Sequence, residues 1–221
     1  MSLLFDFTIC GNRKINLDRI LHVKCKDFSV SLIMDGFGNY SGDKHYVDYI
    51  FDKINSEINN TLNIDLACEF ILCLLNEKNG FDGKSTISIV IYDKYQLRYL
   101  SIGDTRIYFL KNKLKTKDDS LAQKLIDEGI SPISSLKTHP YKNKLCEFIS
   151  REKTNEKISF SKIEVEDGEK VIICSDGFWR GYTDDEIWEM DNAKKINSEM
   201  YKIKDNPLMQ SDNISILLFC I

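Results

Sequence analysis

Proline is scarce in this chain, with three in 221 residues, and no Gly/Ser-rich or low-complexity stretch accompanies them. Without such linkers there is no composition break at which to divide it. Residues 1–221 therefore read as one domain, long enough to bury a sizeable core. Long apolar runs are also missing. "FILCLL" is far short of the roughly 20 residues that cross a bilayer, so no membrane span or membrane partner is expected. The opening "MSLLFDFTIC" has no basic leading segment and carries Asp6, so no secretory signal is expected either. There is no excess of positive charge. The formal net charge of −4 argues against a general nucleic-acid binder, which needs a basic face to displace counterions. The seven cysteines include no C-x-x-C, their number is odd, and Cys25, Cys73, Cys174 and Cys220 lie in or beside apolar runs. Free thiols in a reducing cytoplasm fit this better than a disulfide framework. Histidine occurs only at 22, 45 and 139, without ligand spacing, which leaves imidazole-based metal or nucleophile chemistry unsupported.

What is present is ordinary globular composition, 43% hydrophobic and 29% charged. Short alternating runs predict strands at "LFDFTIC", "RILHVKC" and "FSVSLIMD". "STISIVIYD", "QLRYLSIGD" and "TRIYFLK" follow as an expected antiparallel meander. Later strands are expected at "EKISFSKIEV", "EKVIICSD" and "NISILLFCI". Apolar residues at helical spacing from Tyr46 to Ile58 predict a first helix, and "IDLACEFILCLLNEK" a second, largely buried one. "DSLAQKLIDEG" reads as a short helix, and Thr183 with Glu186 has the spacing of a capping box. Blocks of strands separated by helices favour antiparallel sheets covered by helices over a parallel βαβ fold.

Two strands end in the same way, "SLIMDGFGNYSGD" at Asp35–Gly36 and "KVIICSDGF" at Asp176–Gly177, and "SDNIS" places Asp212 just before the last strand. Asp-Gly is a favoured hairpin pair, because both residues tolerate positive φ. Here both pairs lead into helical patterns, so turn chemistry alone does not account for them. Carboxylates held at strand ends suit a hard divalent cation, which needs fixed oxygen ligands and would cancel their mutual repulsion. Solvated surface aspartates remain the alternative on composition alone.

Taken in order, these segments resemble the PP2C (PPM) family of metal-dependent serine/threonine protein phosphatases, in their short bacterial form. The resemblance runs through "GNRKINLDRI", "IMDGFGNYSGD", "FDGKSTISIVIYD", "LRYLSIGDTRIYFL", "KTKDDSLAQKLIDEGIS" with "THPYKN", "VIICSDGFWRGYTDDEI" and "SDNISILLF", covering nearly the whole chain. It implies an α+β fold, a four-layer α-β-β-α sandwich of two antiparallel sheets flanked by helices. It also implies two Mn²⁺ or Mg²⁺ ions bridged by Asp35, with the Gly36 carbonyl as a further ligand and Asp176 and Asp212 completing the first ion's shell. Asp18 stands at the acidic position near the metals, and Asp82 at that of a third ion. Arg13 matches the arginine that grips the substrate phosphate, a task suited to its planar fork.

The implied reaction is hydrolysis of phosphoserine or phosphothreonine in a protein substrate by direct attack of a metal-bridging hydroxide, in a monomer, with Arg13, Asp35 and Asp176 as the catalytic set. Several positions depart from the pattern. Leu17 stands where many members are acidic, Phe37 where many eukaryotic relatives have histidine, and Lys84 replaces a glycine beside Asp82. Asp119 replaces a histidine, "CEFIS" replaces a Thr-Arg-containing segment, and the interval from Asp176 to Asp212 is short, as if a helix were trimmed. Leu17, Lys84 and "CEFIS" motivate a second reading, a pseudophosphatase that binds phosphoproteins without turning them over. Asp104 in "IGDTR" is expected to support its hairpin, not to bind metal, and Trp179 and Trp188 to anchor packing.

Overall fold

A computed structural model describes residues 1–38, 43–152, 158–205 and 211–221. Two antiparallel sheets form its centre. The first sheet contains β1 (Ser2–Ile9), β6 (Arg106–Phe109), β7 (Leu114–Lys115), β10 (Lys170–Cys174) and β11 (Ile214–Cys220), in the spatial order β1-β11-β10-β6-β7. The second contains β2 (Asp18–Lys24), β3 (Ser29–Phe37), β4 (Lys84–Tyr92), β5 (Leu97–Ile102) and β9 (Ser161–Ile163) in that order, and β8 (Ile149–Ser150) pairs with the start of β4.

Side-chain alternation explains the layering. Ile33, Val90 and Leu97 of the second sheet meet Ile107, Phe109, Val171, Ile173, Leu217 and Phe219 of the first, forming a dry layer between the sheets. The opposite pleat of the second sheet presents Leu32, Met34, Ile87, Ile89 and Ile91 to α1 (Asp43–Glu57) and α2 (Ile64–Asn76). The outer face of the first sheet presents Ile172, Cys174, Ile214, Ile216 and Leu218 to α4 (Asp176–Trp179), α5 (Asp184–Trp188) and α6 (Ala193–Asp205). The result is the expected α-β-β-α sandwich.

The expected helix starts are present. Asn63 caps α2 by accepting from Leu66 N, and Ser120 caps α3 (Leu121–Asp127) by accepting from Gln123 N. Thr183 and Glu186 form the anticipated capping box. None of the seven cysteines forms a disulfide, and Cys73 and Cys146 are exposed.

Two expectations need correction. The meander does not continue through "TRIYFLK", because β5 pairs with β4 whereas β6 pairs with β10 in the other sheet. The chain changes sheets at residues 103–105, where both Ser88 and Ser101 donate their hydroxyls to the Thr105 carbonyl, at 2.8 and 3.0 Å, and Thr86 and Thr105 join through their hydroxyls. These side chains satisfy backbone that has left its ladder. Second, the interval before Asp212, short enough to suggest a trimmed helix, still contains a 13-residue helix, α6. The segments "NYSG" and "KTNEK" lie outside the described residues.

Candidate metal centre and phosphate site

The carboxylates come from the ends of strands in both sheets. Asp18 opens β2 and stands opposite Asp35 near the end of β3. Asp104 lies in the turn joining β5 to β6, Asp176 follows β10 at the start of α4, and Asp212 precedes β11. One ligand oxygen from each of Asp35, Asp104 and Asp176 falls within 4.8 Å of the others. Asp18, 2% exposed, accepts a 2.6 Å hydrogen bond from the Ser215 hydroxyl through Oδ2, while its buried Oδ1 has no protein partner.

Burial and crowding act on these groups together. Asp18 is pushed up to about 7, first by burial and then by Asp176 and Asp212, against hydrogen bonds from Ser215 and Ser175. Asp35 is raised well above the usual carboxylate range by burial and by Asp18, Asp176, Asp104 and Asp212. Burial also raises Asp104, with Asp176 adding and Arg180 opposing. Asp176 is raised by burial, against the pull of Arg180. An all-oxygen donor set, a buried oxygen without a partner and mutually repelling carboxylates fit a hard divalent cation.

Two close approaches of the backbone shape this corner. Gly36 lies where a Cβ would come within 2.8 Å of Val47 Cγ2, and its N–H donates to the Leu17 carbonyl at 3.4 Å. At Gly177 a Cβ would fall 2.0 Å from the Asn213 carbonyl oxygen. Asn213 in turn ties down the loop between β1 and β2. It donates to the Cys10 and Ile15 carbonyls at 2.8 and 3.1 Å and accepts from Leu17 N at 2.9 Å. That loop carries Arg13, which reaches Asp212 Oδ2 at 2.6 Å from a side chain that is 57% exposed. Arg13, Asp35, Gly36, Asp176 and Asp212 all line one cleft of about 490 Å³, together with Arg180.

Asp82 is not brought to this group. It is 71% exposed, just ahead of β4, and pairs with Arg151 at 2.7 Å. Lys84 sits over the Phe148 ring, 5.2 Å from its centre, and Phe148 meets Phe37 edge-on. Leu17 and Phe37 line the cleft as apolar walls.

Two residues escaped the sequence reading. Asp104, expected only to support a hairpin, is a member of the tight carboxylate group. Arg180 pairs with both Asp176, at 2.7 Å, and Asp104, at 3.1 Å. The available signal for Arg180 was its position four residues beyond Asp176 in a helical pattern, which puts both side chains on one face.

No protein-family model matches the chain. The serine/threonine protein phosphatase PstP of Mycobacterium tuberculosis is 22% identical over 139 residues, 61% of this chain but only 27% of that relative's length. Among solved structures, the serine/threonine phosphatase Stp1 from Staphylococcus aureus superposes with a TM-score of 0.81 at 18% identity, covering 100% of this chain and 95% of that one. The catalytic domain of PstP in complex with two manganese ions gives a TM-score of 0.77 at 16% identity, over 99% and 98% of the two chains. The fold is that of the PPM-type serine/threonine phosphatases.

Proposed function

We propose, starting from that shared fold, that this chain is a metal-dependent phosphatase acting on phosphoserine and phosphothreonine in proteins, with residues 1–221 forming one catalytic domain. The observation that carries the reading is the meeting of Asp35, Asp104 and Asp176 beside the partnerless Asp18 oxygen, in a cleft whose rim bears Arg13. Asp35, the Gly36 carbonyl, Asp176 and Asp212 would hold two Mn²⁺ or Mg²⁺ ions, with Asp18 alongside. A third ion at Asp82 would have to displace Arg151. Divalent cations held there would supply the charge that offsets phosphate oxygens and lowers the pKa of water.

The chain's own residues do the rest. Arg13 presents a planar fork at the open end of the cleft, matched to two phosphate oxygens. Its exposed pair with Asp212 is worth little, so a dianionic phosphate can draw it away. The apolar Leu17 and Phe37 exclude water from the flank of the bound phosphate. Among the described residues no helix is long and apolar enough to cross a membrane. We take the substrate to be a phosphoprotein and the working form to be a cytoplasmic monomer.

A second reading, binding without turnover, is favoured by one observation: Arg13 and Arg180 already engage Asp212, Asp176 and Asp104. Hydrolysis of p-nitrophenyl phosphate against Mn²⁺ and Mg²⁺ concentration decides between them. Turnover that disappears with EDTA and in Asp176→Asn supports the enzyme. Absence of turnover at saturating metal supports the binding module.

A further inference from the structure

Arg180 follows the last residue of α4, one helical turn beyond Asp176, and its side chain turns back into the cleft. Its Nη1 lies 2.7 Å from Asp176 Oδ2 and its Nη2 3.1 Å from Asp104 Oδ2. One guanidinium thus bridges two members of the carboxylate group, contributed by different elements. The position is enforced from behind. The guanidinium lies over the Trp179 ring, 5.3 Å from its centre, and Trp179 is itself locked by donating Nε1–H to the Asp104 carbonyl at 2.8 Å. On that same ring Arg106 stacks at 3.4 Å, but its fork is committed to Asp118 at 2.7 and 2.9 Å. Arg180 is therefore the cation that this scaffold aims at Asp176 and Asp104.

We propose that Arg180 is a built-in counter-charge that competes with divalent cations for these carboxylates, and so sets the metal affinity of the centre. The inference rests on the metal-dependent reading above. Three carboxylates within 4.8 Å of one another repel strongly unless positive charge sits among them. A guanidinium and a metal ion answer that need in mutually exclusive ways, because each Asp oxygen held by an N–H is withheld from coordination. For an ion to enter, the ion pair to Asp176 and the charge-assisted hydrogen bond to Asp104 break and the guanidinium moves off, and while it stays nearby it also repels the ion. Arg180 acts through the ligands, so it is a positioning residue and not a catalytic one. Asp212, paired with Arg13 and not with Arg180, is outside its control. The centre accordingly divides into a part governed by Arg180, at Asp176 and Asp104, and a part governed by Arg13, which bound phosphate draws away.

The test is direct binding of Mn²⁺ by titration calorimetry to the wild type, Arg180→Gln and Arg180→Lys. Alongside it, the Arg180 Nε–Hε resonance, assigned by its loss in Arg180→Lys, is followed during Mg²⁺ titration of the wild type. Losing the ion pair to Asp176 and the charge-assisted hydrogen bond to Asp104 from the competing state should tighten Mn²⁺ binding by about tenfold or more in Arg180→Gln. Arg180→Lys, whose single ammonium spans the two carboxylates poorly, should fall between. The Arg180 resonance should shift in step with Mg²⁺ occupancy. If wild type and Arg180→Gln bind Mn²⁺ equally, or the resonance stays put while Mg²⁺ binds, the competition is overturned and the metal centre stands. If Arg180→Gln does not fold, the resonance alone decides. If no protein binds either metal, the metal-dependent reading itself falls, and this inference with it.

Discussion

Asp18 and Asp35 face each other across adjacent strands, opposed in register at the ends of β2 and β3. Like charges directly opposite one another weaken a strand pair, and here one of the two is almost wholly buried with an oxygen left without a protein partner. The sheet tolerates this because most of the pairs behind it are apolar, Ile20 with Ile33, Leu21 with Leu32 and Val23 with Val30. The site is thus an unfavourable charge arrangement held in place by a favourable core.

A pH dependence follows from that arrangement. Asp18 is raised from its ordinary 3.8 to about 7, chiefly by burial. Between those values the folded chain holds a proton that the unfolded chain has released. The contribution of Asp18 to stability is therefore fully present below the lower value and is lost as pH rises through the window. Asp35, Asp104 and Asp176, also raised, act in the same direction. In EDTA the melting temperature should fall steadily from about pH 4 to about pH 7. Each proton so held lowers the unfolding free energy by up to roughly 1.4 kcal/mol for every pH unit climbed. Asp18→Asn should flatten that slope, and an unchanged slope in the variant would rule out Asp18 as its source. Mn²⁺ should restore stability most at the upper end of the range.

Removing the Arg13 fork should reduce catalysis without harming the fold. Its pair with Asp212 is more than half exposed on the arginine side, so Arg13→Ala should shift the melting temperature very little. Loss of a bidentate, charge-assisted contact to phosphate should lower kcat/KM for a phosphopeptide by about 10- to 100-fold, mostly through KM. Arg13→Lys should recover only part of it, since an ammonium lacks the fork. Steady-state kinetics with KM unchanged in Arg13→Ala would remove Arg13 from the phosphate site.

How much of this could be read from the sequence depends on how local each signal is. Ile87, Ile89 and Ile91 alternate with polar or smaller neighbours, so the period of two is visible and β4 is found within a residue. Asp35 and Asp176 were legible because each interrupts an apolar run just before glycine. The α6 helix was hidden by its polarity: in "AKKINSEMYKIKD" only Ile196, Met200 and Ile203 are buried hydrophobic residues, spaced four and three apart among charged neighbours. Asp104 and Arg180 were missed because their roles depend on a crossing between sheets that brings residues 76 positions apart into hydrogen-bond contact. Asp82 was placed by motif position alone, and its contact with Arg151 depends on how β8 pairs with β4, which local sequence does not encode.

Gly177 should be intolerant of any side chain. A Cβ there would meet the Asn213 carbonyl oxygen at 2.0 Å, and backbone cannot step aside as a flexible side chain would. Gly177→Ala is expected to lose at least about 2 kcal/mol in urea unfolding. It should also loosen the Arg13 loop, because Asn213 holds that loop through Cys10, Ile15 and Leu17. Wild-type stability in Gly177→Ala would show that the contact relaxes at no cost.

The buried pair of Arg106 and Asp118 sets a different kind of prediction. Both side chains are almost completely buried, at 2% and 3% exposure, with two hydrogen bonds between them and a third from Arg106 to the Tyr108 hydroxyl. Removing one partner strands the other charge in the interior, so Asp118→Ala should lose about 3–5 kcal/mol. Replacing both, as in Arg106→Met with Asp118→Leu, removes the stranded charge along with the pair and should cost much less than the two single losses added together. Urea unfolding of the four proteins of this cycle measures the coupling directly. A loss below about 1 kcal/mol in Asp118→Ala would mean that water reaches Arg106 and that the pair is not shielded as its burial implies.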